Sequence, residues 1–334
     1  MRERVLSGMR PTGALHLGHF HGALKNWVRL QHEYDCFFLV ADWHALTTHY
    51  EDPRVIERSV YDMVIDWIAA GLDPDLCTIF IQSRLPEHAE LFTLLAMGTP
   101  LGWLERVPSY KDRMAQPQPA GQAPRDLATY GFLGYPLLQA ADILAYKAQW
   151  VPVGEDQDAH VELTREVARR FNRLYGRTVL PEPQALHTEV TRLPGLDGQK
   201  MSKSLDNTIA MREEPEIVAQ KIRRMPTDPQ RVRRGDPGEP ARCPVWPLHE
   251  VWSDVPTRAW AAEGCRSAAI GCLDCKQPLI EAIDREQMPW RERAAEWLAN
   301  PKRVHWIVEM GTERARTVAR QTLKEVRDAM GLNY

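Results

Sequence analysis

The chain has 334 residues, 44% apolar and 26% charged, enough to bury a substantial core in two domains or in one domain with an appendage. A formal net charge of −3 excludes a uniformly basic nucleic-acid binder. No apolar run approaches the roughly 20 residues that span a bilayer, and Met1-Arg2-Glu3-Arg4 does not read as a signal or transit peptide, so a cytoplasmic protein without membrane attachment is expected.

Along the first two-thirds, short strand-like runs alternate with longer helical patterns, which predicts a parallel sheet covered by helices. Arg4-Val5-Leu6 is a brief strand. Cys36 to Ala41 is an apolar run suited to a strand buried on both faces. Asp52-Pro53 opens a helix that carries Val60, Val64, Ile65 and Ile68 on one face and stops near Gly71. Cys77 to Ile81 is the next strand. Gln116 to Pro124, rich in Pro, Gln, Ala and Gly, reads as a mobile loop, with helical pattern resuming at Asp126. Pro215 to Arg224 is helical, Pro226 to Pro247 is Pro/Gly-rich, and helices over about Leu279–Leu298 and Thr312–Met330 end the chain. The expected architecture is α/β, a Rossmann-like parallel sheet followed by a C-terminal α-helical domain, divided into 1–205 and 206–334.

Three segments carry chemistry. Ser7-Gly8-Met9-Arg10-Pro11-Thr12-Gly13 precedes a helix containing His16-Leu17-Gly18-His19. The glycines let backbone pass close to a ligand, and a helix start presents free N–H groups to an anion. His16 and His19, three apart, share a face and can donate to phosphate oxygens, while Gly18 leaves room for a flat ring. Much later, Leu193 to Gln199 leads into Lys200-Met201-Ser202-Lys203-Ser204, where two ammonium groups and two hydroxyls suit a triphosphate that must be gripped and released. Between them, Tyr135, Gln139 and Asp142 are four and three apart on an apolar helix, so they line one face beside Val151-Pro152-Val153-Gly154-Glu155-Asp156-Gln157. Each segment alone also suits an ordinary surface helix or solvated loop; their order along the chain argues against that.

The histidine segment resembles the "HIGH" motif, and Lys200 to Ser204 the full "KMSKS" motif, of the class I aminoacyl-tRNA synthetases. The middle segment, with Glu162-Leu163-Thr164-Arg165, resembles the tryptophanyl branch more than the tyrosyl one, from about Val5 to Ser204 and more loosely to the end. The resemblance implies activation of tryptophan with ATP and Mg²⁺, transfer to tRNA(Trp), and a homodimer. His16, His19, Lys200 and Lys203 would be catalytic. Arg10, Pro11, Thr12, Gly18 and His19 would meet ATP, Gly154, Glu155 and Asp156 its ribose side, and the backbone near Arg192 and Met201 its adenine. Lys200, Ser202, Lys203 and Ser204 would meet its phosphates. Arg10 departs from the glutamine often found there. Tyr135 and Gln157 would hold the substrate ammonium, His44 would border the carboxylate, and Gln139 would sit beside the indole. Asp142 suits the indole N–H, which is a donor only. A buried acceptor that phenylalanine leaves unpaired supports discrimination of roughly 10⁴–10⁵.

Cys243, Cys265, Cys272 and Cys275 have the spacing C-x21-C-x6-C-x2-C, and four thiols in a cytosolic chain suggest ligation over disulfides. A subset of bacterial tryptophanyl enzymes with nearly this spacing holds a [4Fe–4S] cluster; zinc suits the same thiolates. Seven basic residues against three acids between Lys221 and Arg242 suggest a local nucleic-acid-facing surface or a solvated loop. Cys36 and Cys77 read as small core residues. The rival functions are a tyrosyl enzyme, a tRNA-independent adenylate-forming or regulatory paralogue, and an RNA-binding protein without catalysis.

Overall fold

The computed structural model describes residues 2–108, 110–111, 129–154, 157–187 and 193–334. Among the described residues five strands form one parallel sheet: β1 (Arg4–Met9), β2 (Asp35–Val40), β3 (Cys77–Ile81), β4 (Trp150–Val153) and β5 (Gln184–His187), in the order β3-β2-β1-β4-β5. The chain lays down one half of the sheet from β1 outward and then crosses to the other side of β1 to begin β4. That reversal opens a crevice at the C-terminal ends of β1 and β4, where open parallel sheets bind ligands.

Strand alternation sorts side chains into two cores. Val5, Cys36, Phe38 and Val40 face one layer, where Trp27 stacks on Phe38 with ring centroids 4.6 Å apart and Trp67 meets Trp27 edge-on. Leu6, Phe37 and Leu39 face the other, with Phe80, Leu137 and Tyr146. Each such buried side chain contributes about 1.5–3 kcal/mol.

The helices in chain order are α1 (Leu17–His19), α2 (Lys25–Leu30), α3 (Asp42–His49), α4 (Arg54–Ala70), α5 (Pro86–Ala96), α6 (Leu101–Glu105), α7 (Tyr130–Ala145) and α8 (Asp158–Tyr175). They continue with α9 (Pro215–Arg224), α10 (Trp246–Trp252), α11 (Val255–Arg266), α12 (Cys272–Ala299) and α13 (Pro301–Met330). Helix α4 starts one residue later than Asp52-Pro53 suggests: Pro53 is the cap residue, and Asp52 accepts the Arg54 guanidinium at 2.7 Å. It stops where expected, because Gly71 takes a φ of 120°, which any side chain would disfavour. Helix α12 runs through Pro278 and Pro289, so both final helices are longer than periodicity alone predicts.

The final helix belongs to both cores. Val304, Ile307 and Val308 join one layer and Ala315, Ala319 and Leu323 the other, so α13 crosses the outer edge of the sheet at β3. Gly311 permits this, since a Cβ there would collide with the Ile79 carbonyl. The loop expected over Gln116–Pro124 lies outside the described residues.

Candidate active site

β1 delivers the chain to a turn that α4 supports from below. Gly13, with a φ of 102°, donates its N–H to Ser59 Oγ at 2.9 Å, and buried Asp66 receives the Leu15 N–H. His16 is extended and caps α1. Its N–H donates to His19 Nδ1 at 3.2 Å, so a neutral His19 carries its proton on Nε2. The two rings lie 3.7 Å apart, and a Cβ on Gly18 would stand 3.0 Å from the His16 ring. Burial, then the neighbouring Lys203, pulls His16 down to about 4; burial, His16 and Lys203 hold His19 well below its ordinary value. At neutral pH both are therefore uncharged hydrogen-bonding groups, and His16 Nδ1 is buried with no hydrogen-bond partner among the described residues. Helix α1 passes into a π-helical turn over Phe20–Leu24, a local irregularity common at functional sites.

The lysine–serine loop closes against this turn. Lys203 Nζ donates to the Gly13 carbonyl at 2.7 Å, joining segments 190 residues apart. Burial brings Lys203 down to about 8, opposed by Asp66 and assisted by Arg10. Asn207 ties the loop base: its Oδ1 accepts from the Ser202 N–H at 2.7 Å, and its Nδ2 donates to Asp197 at 2.7 Å and to the Lys200 carbonyl at 3.1 Å. Met201 is buried, with its N–H on the Leu193 carbonyl at 3.0 Å. Lys200 is exposed, and Ser202 and Ser204 join their hydroxyls at 2.9 Å. Arg10, exposed at the cleft mouth with Pro11 and Thr12 behind it in the turn, lies within electrostatic reach of both Lys203 and Tyr135.

The tryptophan-type face of α7 divides in two. Tyr135 and Gln139, half-buried, meet through His160 of α8: the Tyr135 hydroxyl is 3.3 Å from His160 Nε2, and Gln139 Oε1 accepts from His160 Nδ1 at 2.8 Å. Asp142 lies deeper and is not the open acceptor its spacing suggests. Its oxygens accept from His44 Nε2 at 2.7 Å, His88 Nδ1 at 2.6 Å and Gln82 Nε2 at 2.9 and 3.0 Å. Burial would raise this carboxyl, but the hydrogen bonds and charges of His44 and His88 outweigh it and hold Asp142 at about 2. The Tyr146 hydroxyl, 2.7 Å from His88 Nε2, fixes that ring from the far side. His44 of this group extends toward Tyr135, with ring centroids 6.3 Å apart. Gln157 caps α8 and donates its N–H to the Gly154 carbonyl at 2.9 Å. Glu155, Asp156 and Arg192 lie outside the described residues.

Ser59, Asp66, Asn207, His160, Gln82, His88 and Tyr146 are supporting residues that sequence reasoning does not single out. Asn207 lies in the same loop as its partners; each of the others sits in an ordinary helical or loop context, far along the chain from the residue it supports.

Cys272 and Cys275 open α12, Cys265 lies near the end of α11, and Cys243 precedes α10. Burial pushes Cys275 up to about 12, with the other three thiols adding, and raises Cys243 and Cys265 as well. Cys265 Sγ accepts from Arg231 at 3.8 Å, and Cys275 Sγ lies 3.4 Å from His249 Nε2. Cys275 interacts electrostatically with the other three thiols, and Arg231 and Lys276 bring positive charge to the group. Among the described residues, however, no three such side chains are drawn together as a ligand set. The nearby basic run is partly turned inward. Lys221 pairs with Glu213, Arg242 with Asp228, and Arg231 is buried on the Arg234 and Ile270 carbonyls. Arg223, Arg224, Arg233 and Arg234 stay exposed.

Residues 2–286 match the family model described as tRNA synthetases class I (W and Y). The chain belongs to that family. Its relatives in the family include a tryptophan–tRNA ligase of Ralstonia nicotianae, 55% identical over 99% of both chains. A tryptophan–tRNA ligase of Thermotoga maritima is 50% identical over 99% of this chain and all of its own. The tryptophanyl-tRNA synthetase of Campylobacter jejuni, complexed with ADP and tryptophan, superposes with a TM-score of 0.87 at 31% identity, covering 98% of this chain and 100% of that one. Among the described residues no helix is long and apolar enough to cross a membrane.

Proposed function

We propose that this class I synthetase is a tryptophan–tRNA ligase, which activates L-tryptophan with ATP and transfers it to the 3′-terminal ribose of tRNA(Trp). The observation that carries the reading is the contact of Lys203 with the Gly13 carbonyl, which joins the two nucleotide motifs beside the Tyr135–Asp142 helix. A carboxylate oxygen of tryptophan attacks the α-phosphorus of ATP in line, and the bond to pyrophosphate breaks. The ribose hydroxyl of the tRNA then attacks the acyl carbon and AMP leaves. No covalent enzyme intermediate is needed, so positioning and charge stabilisation supply the acceleration.

In this reading neutral His16 and His19 donate to phosphate oxygens, while Lys200, Lys203 and Arg10 supply positive charge to the nucleotide that enters with Mg²⁺. Pro11, Thr12, Gly18, Met201, Ser202 and Ser204 line its path, and Gly154, Glu155, Asp156 and Arg192 take the ribose and adenine side. Tyr135 and Gln157 hold the substrate ammonium and His44 borders its carboxylate. Gln139 lies beside the indole, whose N–H Asp142 accepts once a lone pair is released by His44 or Gln82. Residues 1–205 form the catalytic unit and 206–334 the anticodon-binding one, in a cytoplasmic homodimer.

Cys243, Cys265, Cys272 and Cys275 would hold a [4Fe–4S] cluster, with zinc as the alternative, as a structural clip for the anticodon end. The C-x21-C-x6-C-x2-C spacing and the electrostatic interaction of Cys275 with the other three thiols and with Lys276 support this. ATP–pyrophosphate exchange with tryptophan and tyrosine in competition tests the ligase reading. Exchange that depends on tryptophan supports it; exchange driven by tyrosine, or none with either, rejects it.

A further inference from the structure

Helix α12 carries two side chains that neither the nucleotide motifs nor the aromatic pocket uses. Glu286 Oε2 accepts from His21 Nε2 at 3.0 Å and from Trp252 Nε1 at 2.7 Å, and His21 is a buried ring in the π-helical turn directly after His19. One residue further, fully buried Gln287 donates Nε2 to the Ala210 carbonyl at 2.8 Å. Arg291, one turn on, donates to the Glu213 carbonyl at 3.1 Å, and Trp290 packs on Phe20 with centroids 4.3 Å apart.

Ala210 is not an arbitrary attachment point. It forms an antiparallel bridge with His16, flanked by Leu17 N–H to the Ile209 carbonyl at 3.0 Å and Met211 N–H to the Leu15 carbonyl at 2.9 Å. One helix thus grips the histidine motif through His21 and Phe20, and the segment downstream of the lysine loop through Ala210 and Glu213. The loop itself must release Gly13 to engage a nucleotide, so its far end needs a fixed anchor. Donors preset toward developing charge lose their value when they shift, and a displacement of about 1 Å can cost about 100-fold.

We propose that Glu286 and Gln287 are positioning residues for the adenylate-forming step, fixing His16 and His19 relative to Lys203 without touching ATP or tryptophan. The inference rests on the ligase reading above. Gln287→Met removes the donor and keeps the length of the side chain. Glu286→Ala removes the acceptor, and Glu286→Gln retains an acceptor oxygen for His21 and Trp252. In ATP–pyrophosphate exchange, Gln287→Met and Glu286→Ala lower kcat about tenfold or more, while the KM for tryptophan stays within about twofold. Glu286→Gln returns kcat to within about threefold of the parent, since its oxygen still accepts. An unchanged kcat in both deletions overturns the proposal. So does a tryptophan KM that rises in step with the loss of kcat, or a Glu286→Gln variant as slow as Glu286→Ala. If Gln287→Met does not fold, the two Glu286 variants decide alone. A parent protein with no tryptophan-dependent exchange would sink the ligase reading instead.

Discussion

Asp142→Asn tests the aromatic pocket most directly. The carboxylate accepts N–H groups from His44, His88 and Gln82, and asparagine turns one of its two acceptor oxygens into a donor that must face one of them. A hydrogen bond to a charged group is worth about 1.5–3 kcal/mol. Losing one therefore lowers kcat/KM for tryptophan by about tenfold to 150-fold, at 1.4 kcal/mol per tenfold. The KM for ATP should stay within about twofold, because among the described residues no nucleotide-motif side chain hydrogen-bonds to Asp142 or to the side chains that donate to it. Exchange kinetics against tryptophan at saturating ATP measure the effect, and an unaltered tryptophan KM and turnover would refute the pocket assignment. Stability supplies a second readout. A carboxyl that ionises at about 2 when folded, from an ordinary value of 3.8, stabilises the native state by something on the order of 2 kcal/mol. That contribution is complete above the unfolded value and disappears as pH falls from 3.8 through 2. The parent's advantage over Asp142→Asn in unfolding free energy should shrink across that window.

Lys203→Ala should lower turnover with little change in tryptophan affinity, as a contact strongest in the transition state does; weakened tryptophan binding at intact turnover would contradict it. Since burial leaves the Lys203 ammonium titrating at about 8, kcat/KM for ATP should decline as pH rises through that value. The decline should be missing from the Lys203→Ala profile. Protein purified without air should be brown and hold about four irons per chain. Metal analysis giving one zinc without iron would reject the cluster. Cys272→Ser should remove the metal and weaken tRNA charging while tryptophan-dependent exchange continues, and a joint collapse of both activities would show that the site supports the whole fold.

The nucleotide motifs and the sheet were readable in one dimension because their signals are local. Cys36 to Ala41 is a continuous apolar run and Cys77 to Ile81 is apolar except for Thr78, and β2 and β3 fall on them within a residue. His16, His19 and Lys200 to Ser204 carry their chemistry in consecutive letters. Their meeting through Lys203 and Gly13 is a property of the crossover from one half of the sheet to the other, which no window of sequence contains. Asp142 shows the same limit. Helical spacing places it beside Tyr135 and Gln139, but its donors come from three elements elsewhere: His88 from α5, His44 from α3 and Gln82 from the turn after β3. Nothing in Pro86-Glu87-His88 distinguishes a surface histidine from one that holds a buried carboxylate. The basic run from Lys221 to Arg242 is a third case, because charge counting cannot tell Arg231, buried on two carbonyls, from its exposed neighbours.

The path of α13 over β3 also governs how the chain behaves when it is incomplete. Cys77 to Ile81 is a buried, largely apolar strand at the outer edge of a parallel sheet, and an uncovered edge of that kind recruits strands from other molecules. In the finished fold the backbone of α13 at Gly311 lies against the Ile79 carbonyl and occupies that edge. The covering helix, Pro301–Met330, is synthesised long after β3, so that edge of the sheet stays open until the helix has emerged. Chains that stop short of Pro301 would carry an open edge and should self-associate even where their nucleotide motifs are intact.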